Sequence, residues 1–243
     1  MVDRVFTSGR AVGSSAGVGV GKRLYPAYAR TIAPLVRNVF FHDLLIATGN
    51  FRRTTWLGQP ILQNVLDLWV IQEAIAELRP ALIVESGTNR GGSSLFYAHL
   101  FDLLGRGSVV TVDIEKLHDL SHPRVTFLIG SSTDYEIVQV VRRHAERADG
   151  PIMVILDSDH AKDHVRRELE LYAPLVTPGS YCLVQDGVMD KLGMFAKHRP
   201  GPLPAIHDFV REHPEFEVDD ERSTRFLISH HPRGWLKRSA HEA

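Results

Sequence analysis

Five short apolar runs, spaced along the chain by stretches of helical period, constrain its fold more than any other feature. The runs are "ALIVES" (81–86), "SVVTVD" (108–113), "RVTFLIG" (124–130), "IMVILD" (152–157) and "GSYCLVQD" (179–186). They are apolar almost throughout rather than at alternate positions, so both faces of the sheet they form must be covered. The segments between them supply the cover. Val65, Leu66, Leu68, Trp69, Ile75 and Leu78 recur at helical spacing before Pro80 stops them, and 94–105, 134–147 and a segment reaching about Tyr172 follow the same period. A further helix is expected at 203–213, with "FEVDDE" (216–221) and "RFLISHH" (225–231) as a closing pair of strands. The predicted class is α/β: a mostly parallel, doubly wound Rossmann-like sheet with helices on both faces and an antiparallel strand near the C-terminus.

With 243 residues and 44% hydrophobic content, the chain can bury the core such a domain needs. Its 28 basic and 29 acidic side chains leave a formal net charge of -1, which argues against nucleic acid as a partner. A single cysteine, Cys182, excludes an intramolecular disulfide and a cysteine-based zinc cluster. Neither a signal-peptide core nor an apolar span of ~20 residues occurs, so no transmembrane segment is expected and the cytoplasm is the expected compartment. The nearest approach to a span, 30–49, is interrupted by Arg37, His42 and Asp43 and reads as an amphipathic helix. The expected organisation is a flexible Gly/Ser-rich tail over 1–22, a helical segment over 23–60 for oligomer or lid contacts, and the main domain over 61–243.

In doubly wound sheets ligands bind beyond the carboxyl ends of the strands. Four of the five runs end in an acid there: Glu85, Asp113, Asp157 and Asp186. The first leads into "GTNRGGSS" (87–94), a turn whose glycines free the amides at a helix start for a ligand. The spacing of Gly87, Gly91 and Gly92 departs from the G-x-G-x-x-G of dinucleotide folds. Asp113 stands where such a fold places an acid for ribose hydroxyls, a turn cap being its other reading. Turn and acid together favour an adenosyl cofactor, with Glu85, Gly87, Thr88, Gly91, Ser93, Asp113 and Ser132 as candidate contacts. Glu85 suits the cofactor's cationic end. Ser132 either reaches the adenine or, like Thr133, caps the next helix, and capping is the plainer reading.

Asp157 and Asp186 end the fourth and fifth runs, which are neighbours in the usual strand order. With Gln185 they offer two carboxylates and an amide carbonyl, hard oxygen donors that suit Mg²⁺ or a similar cation. His160 follows Asp157 by three residues, and imidazole is the side chain suited to take a proton near neutral pH. Packing at the next helix start is its other reading. Asp159 orients His160, approaches the cation, or caps the helix from about Ala161. His164 flanks the site.

The segments "TTWLGQPILQNVLDLWVIQEAIAELRPALIVESGTNRGGSS" (54–94) and "ILDSDHAKDHVRRELELYAPLVTPGSYCLVQD" (155–186) resemble the cephalosporin hydroxylase / rhamnosyl O-methyltransferase family, which are class I S-adenosylmethionine-dependent methyltransferases. The likeness runs from about Thr54 to the C-terminus. It implies S-adenosylmethionine as cofactor and a divalent metal, Mg²⁺ or another, held at Asp157 and Asp186. Position 185, usually Glu in close relatives, is Gln185 here, so the metal set becomes Asp157, Gln185 and Asp186. His160 stands at the offset where a lysine is the base of catechol-type O-methyltransferases, which makes it the implied catalytic residue. The implied activity is metal-dependent O-methylation of a small-molecule acceptor by a homo-oligomer, the acceptor offering a hydroxyl of a rhamnosyl-type sugar or of a glycosylated or polyketide natural product. The methyltransferase component of a β-lactam methoxylation system is a second reading, and a non-catalytic subunit of the same fold, suggested by Gln185, is a third. The glycine spacing and the paired rim acids oppose an NAD-dependent dehydrogenase. The loop 187–202, with Met189, Met194 and Phe195, is expected to line the acceptor pocket.

Overall fold

The expected alternation is present as a seven-stranded sheet in a computed structural model that describes Tyr28 and residues 30–240; the predicted tail over 1–22 lies outside them. The chain divides into two units, 1–43 and 44–243. The first contributes most of helix α1 (Ala33–Ile46), which carries exposed Leu35, Val36, Val39 and Phe40. The second unit opens with a short helix α2 (Asn50–Arg53) and a tight hairpin, β1 (Thr55–Trp56) and β2 (Gln59–Pro60). Helix α3 (Val65–Leu78) follows. The Asn64 side chain accepts from the Leu66 amide to start it, and Arg79, left-handed ahead of Pro80, ends it.

The sheet then builds as β3 (Leu82–Ser86), α4 (Gly92–Leu104), β4 (Ser108–Asp113), β5 (Val125–Ile129), α5 (Tyr135–Glu146), β6 (Ile152–Leu156), α6 (Lys162–Tyr172) and β7 (Tyr181–Val184). Helix α7 (Pro202–Glu212), β8 (Phe216–Val218), a short α8 (Asp220–Thr224) and β9 (Trp235–Arg238) close the chain. The spatial order is β5-β4-β3-β6-β7-β9-β8; β5 through β7 are parallel, and β9 runs antiparallel to both neighbours. Strand order reverses between β3 and β6, which opens a crevice at their carboxyl ends.

Side-chain parity divides the core. Val84, Val110, Val154, Leu156 and Cys182 face α5, α6 and α7, where Val138, Val141, Leu169 and Phe209 pack on them. Ile83, Val109, Met153, Ile155 and Leu183 face α3 and α4, against Ile71, Ile75, Tyr97 and Phe101. Full burial of each such side chain is worth about 1.5–3 kcal/mol, which is why runs apolar on both faces become central strands. The same parity sends Glu85, Thr111 and Asp157 toward the α3/α4 side, and this decides what those polar groups meet.

One expected element is corrected. "RFLISHH" is no strand: Arg225 to His231 run from the end of α8 into a loop, and the last strand is Trp235–Arg238. There Trp235 and Leu236 are buried and Leu236 pairs with Cys182, whereas the Ser229–His231 segment folds inward to satisfy a buried carboxylate. The loop after β7 contains two 3-10 turns, Gly187–Asp190 and Gly193–His198. Among the described residues, no helix is long and apolar enough to cross a membrane.

Candidate active site

The crevice is shaped first by the turn after β3. Gly87 has φ 93°, and a Cβ there would lie 1.9 Å from the Asp157 carbonyl oxygen. Only glycine lets the turn pass so close to the end of β6. The Gly87 amide donates to the Val112 carbonyl (2.8 Å) and the Asp157 amide to the Ser86 carbonyl (2.9 Å), which ties three strand ends together. Gly92, at the start of α4, is equally confined: a Cβ would lie 2.2 Å from the Pro60 carbonyl oxygen. The result is a cavity of about 390 Å³ lined by Gly87, Asn89, Asp113, Ser132, Asp157 and His164, among others.

The predicted cofactor residues divide into lining and support. Asp113 lines the cavity, its carboxylate accepting from the Asn89 amide (2.7 Å) and the Glu115 amide (3.3 Å). The turn-cap reading therefore holds, and it also fixes the carboxylate at the rim. Glu85, Thr88, Gly91 and Ser93 are not among the lining residues. Glu85 is fully buried; Ser94 donates to Oε2, as does Thr111 (2.7 Å). Because the Thr111 proton goes to Glu85, Thr88 is the donor in its 2.6 Å contact with Thr111. Burial pushes the Glu85 carboxyl up, and the Ser93, Ser94 and Thr111 hydroxyls offset part of that. Gly91 caps α4 in a left-handed conformation. Neither Ser132 nor Thr133 caps α5, whose N-cap is Asp134 with no side-chain bond. Ser132 instead faces His164, Oγ to Nε2 3.3 Å.

His164, expected only to flank the site, belongs to a half-buried polar group with Ser158 and the buried Glu168. Its Nε2 lies 3.1 Å from Ser158 Oγ and 3.5 Å from Glu168 Oε1, and Ser158 donates to the same Glu168 oxygen at 2.7 Å. The hydrogen bond to Glu168 raises the His164 pKa. Its sequence signal was the i, i+4 spacing of His164 and Glu168 on one helix.

At the other end of the crevice, β6 and β7 bring Asp157 and Asp186 together. Asp157, His160 and Asp186 each offer a ligand atom, and these atoms lie within 4.8 Å of one another. His160 Nε2 is 3.2 Å from Asp186 Oδ2. Asp186 adopts φ 57°, a left-handed conformation that aspartate tolerates, and this turn aims its carboxylate between His160 and His230. His230 Nδ1 approaches Asp186 Oδ1 at 3.2 Å, and the Asp186 amide donates to His231 Nδ1 at 3.1 Å. That last bond requires an unprotonated Nδ1, and burial lowers the His231 pKa in the same sense. Both histidines are held from α3, where Asp67 accepts from the Ser229 hydroxyl (2.6 Å) and the His230 amide (2.8 Å). On Asp157, Oδ2 accepts from Gln63 Nε2 at 2.7 Å.

Gln185 is buried beside this group, and its Nε2 has no hydrogen-bond partner. Asp159 serves a local turn, its Oδ1 accepting from the Ala161 amide at 2.9 Å. Gln63, Asp67, His230 and His231 were not identified as site residues from the sequence. Gln63 and Asp67 lie in the quoted helix entry, but the paired histidines ended a run that read as strand.

Burial, then Asp186 and Glu85, push the Asp157 carboxyl well above its ordinary value. Burial alone would raise Asp186 too, but the His230 hydrogen bond and the neighbouring His160 hold it below the ordinary carboxylate range. The two carboxyls are thus pushed in opposite directions, Asp157 up and Asp186 down. Two crowded carboxylates, with the Gln185 amide buried beside them, form a set of oxygen donors that fits a hard divalent cation.

A second cavity of about 520 Å³, lined in part by His160, Met189 and Arg199, adjoins the first, and Ser158 and Asp159 border both.

The chain matches the model of the family described as Rhamnosyl O-methyltransferase/CmcI over residues 49–239. Rhamnosyl O-methyltransferase of Mycobacterium tuberculosis strain H37Rv is 35% identical over 207 residues, covering 82% of this chain and 84% of that one. Its counterpart in Mycobacterium leprae is 36% identical over 198 residues, 78% of this chain and 86% of that one. Among solved structures, CmcI with Mg and SAM has a TM-score of 0.61 at 21% identity, with 77% of each chain covered, a likeness of fold. The chain accordingly belongs to the Rhamnosyl O-methyltransferase/CmcI family and is an S-adenosylmethionine-dependent O-methyltransferase of class I fold.

Proposed function

We propose that the protein transfers a methyl group to a hydroxyl of a sugar, of rhamnosyl type or on a glycosylated natural product, with a divalent cation such as Mg²⁺ at Asp157 and Asp186. The single observation that carries this is the junction of two cavities at the loop from Asp157 to His160. The donor side holds Gly87 and Asp113; the acceptor side holds His160 and Met189. The curated relatives, named as rhamnosyl O-methyltransferases, support the sugar acceptor.

In this reading S-adenosylmethionine supplies an activated methyl on a sulfonium and the cation makes the acceptor hydroxyl more acidic. Asp113 orients the donor's ribose. Gly87 keeps the donor close to Asp157, and the buried Glu85, through Ser94 and Thr111, holds the turn that Gly87 begins. Asp157, Asp186 and Gln185 would hold the cation, with Gln63 orienting Asp157 and His230 orienting Asp186. His160, held by Asp186, would take the hydroxyl proton as the C–O bond forms and the C–S bond breaks, the sulfur keeping the electron pair. Orientation of oxygen, methyl and sulfur in line supplies much of the acceleration. The N-terminal segment 23–60 is assigned to contacts between subunits.

The test is methyl transfer from labelled S-adenosylmethionine to rhamnosides, read as mass gain of one methyl, with Mg²⁺ and with chelator. Turnover that survives both chelator and Asp157→Ala would remove the cation from the mechanism.

A further inference from the structure

The acceptor cavity has a wall whose charge the reaction does not use. Lys162, Lys197, His198 and Arg199 line it, and Lys162 is neutralised by Asp208, Nζ to Oδ2 2.7 Å. Lys197 and Arg199 have no carboxylate within ion-pair distance among the described residues. Arg199 is held instead by two backbone carbonyls, Nε donating to Met189 (3.1 Å) and Nη2 to Leu192 (2.8 Å). Carbonyls orient a guanidinium without cancelling its charge.

The wall is anchored at its far end. Asp190 accepts from the amides of Gly201 and Leu203, both at 2.8 Å, and the Lys162 amide donates to the Pro200 carbonyl at 3.0 Å. Two acids share the cavity, Asp159 and Asp163, but both belong to the segment that carries His160, and Asp159 is engaged by the Ala161 amide. A neutral sugar would leave the two cations unanswered, whereas an anionic substituent would pair with them at the edge of a cavity sized for a glycoside or a sugar nucleotide.

We propose that the acceptor carries an anionic group, a carboxylate or a phosphoryl, that binds at Lys197 and Arg199 while its hydroxyl is presented to His160. This rests on reading the cavity as the acceptor side of an O-methyltransferase, and it goes beyond that reading by assigning a charge to the substrate. Lys197 and Arg199 act as specificity residues, outside the methyl transfer itself.

The experiment is equilibrium binding with S-adenosylhomocysteine present, measured in EDTA so that a diphosphate cannot be held by the metal site. The probes are phenyl β-D-glucoside, its carboxylate counterpart phenyl β-D-glucuronide, and dTDP-L-rhamnose against phenyl α-L-rhamnoside. At least one anionic probe is expected to bind about tenfold more tightly than its neutral partner. Which of the two does so tells carboxylate from phosphoryl. Lys197→Glu is expected to erase that preference and Lys197→Arg to keep it, with circular dichroism confirming the fold of each. Equal binding of neutral and anionic partners, or a preference that survives Lys197→Glu, would overturn the inference. A methyl-transfer assay on the same probes reads the underlying function separately: an anionic preference in binding with no methylation of any sugar sinks the sugar acceptor and leaves the charged wall standing.

Discussion

Two clusters of histidine and aspartate on this molecule look alike by distance and differ in everything that matters for chemistry. His99, Asp102 and His122 bring ligand atoms within 4.8 Å of one another, as Asp157, His160 and Asp186 do. In the first, Arg124 Nε lies 2.6 Å from Asp102 Oδ1 and, with His122 also near, lowers the Asp102 pKa. His99 Nδ1 accepts from Trp56 Nε1 at 2.9 Å, and His122 Nδ1 accepts from the Arg124 amide at 3.2 Å. Each neutral ring therefore carries its proton on Nε2, and a cation at either Nδ1 would have to break the bond made there. In the second cluster no arginine among the described residues pairs with the carboxylates, and burial with the neighbouring acids pushes the Asp157 carboxyl up. Proximity makes neither cluster an ion site; what distinguishes the second is a crowded carboxylate, Asp157, whose hydrogen-bond partner is the neutral Gln63 amide.

Four measurements put this contrast to the test. The largest effect belongs to Asp157→Ala, expected to lower kcat/KM by roughly 10³-fold, the scale of the several kcal/mol a bound Lewis acid supplies. Asp102→Ala should leave kcat/KM within about twofold, since it removes a surface pair. If the two variants lost activity alike, the contrast would fail. His160→Ala is expected to reduce kcat on the order of 10²–10⁴-fold while the cation still binds. Loss of cation binding in that variant, read by calorimetry, would make His160 a ligand and move the base elsewhere.

Thermal denaturation gives the third measurement. At about a hundred times its dissociation constant, Mg²⁺ should stabilise the native state by about 2.7 kcal/mol, raising Tm by several degrees. Asp157→Asn should abolish that response and Asp102→Asn preserve it; the reverse pattern would place the cation at the wrong cluster.

The smallest effect concerns Glu85. Its native carboxyl is raised above the ordinary value of 4.5, so the folded state holds the proton to higher pH than the unfolded chain. The stability this contributes is present below the unfolded value and is lost as pH rises through the native one. Glu85→Gln keeps an oxygen for Ser94 and Thr111 without the buried charge. It should stabilise the protein at pH 8, with the gain vanishing as pH falls below the ordinary carboxylate value. A destabilised variant at pH 8 would show that the charge itself is used, as a contact to the donor's cationic end would require.

Much of this was legible in residue order. Apolar runs broken by helical periods specify the parallel sheet, because a strand buried on both faces has no other way to shed water. Acids at the ends of those runs must gather on one rim once the strands are parallel, and Gly87 and Gly91 mark the turn that opens it. Other features were not legible. "RFLISHH" has the composition of a strand, yet its last residues are spent on Asp67, more than 160 positions away in the chain. The true last strand, Trp235–Arg238, has only Trp235 and Leu236 as an apolar signal.

The layer architecture, the crevice and the residue types at its rim follow from residue order, since periodicity and turn chemistry act over a few residues. Which polar groups answer one another emerges once the sheet is assembled. Gln63 meets Asp157 across 94 positions, His230 meets Asp186 across 44, and Arg124 neutralises Asp102 across 22. Those pairings depend on which strand lies beside which and on the face each side chain takes, and a local pattern carries neither.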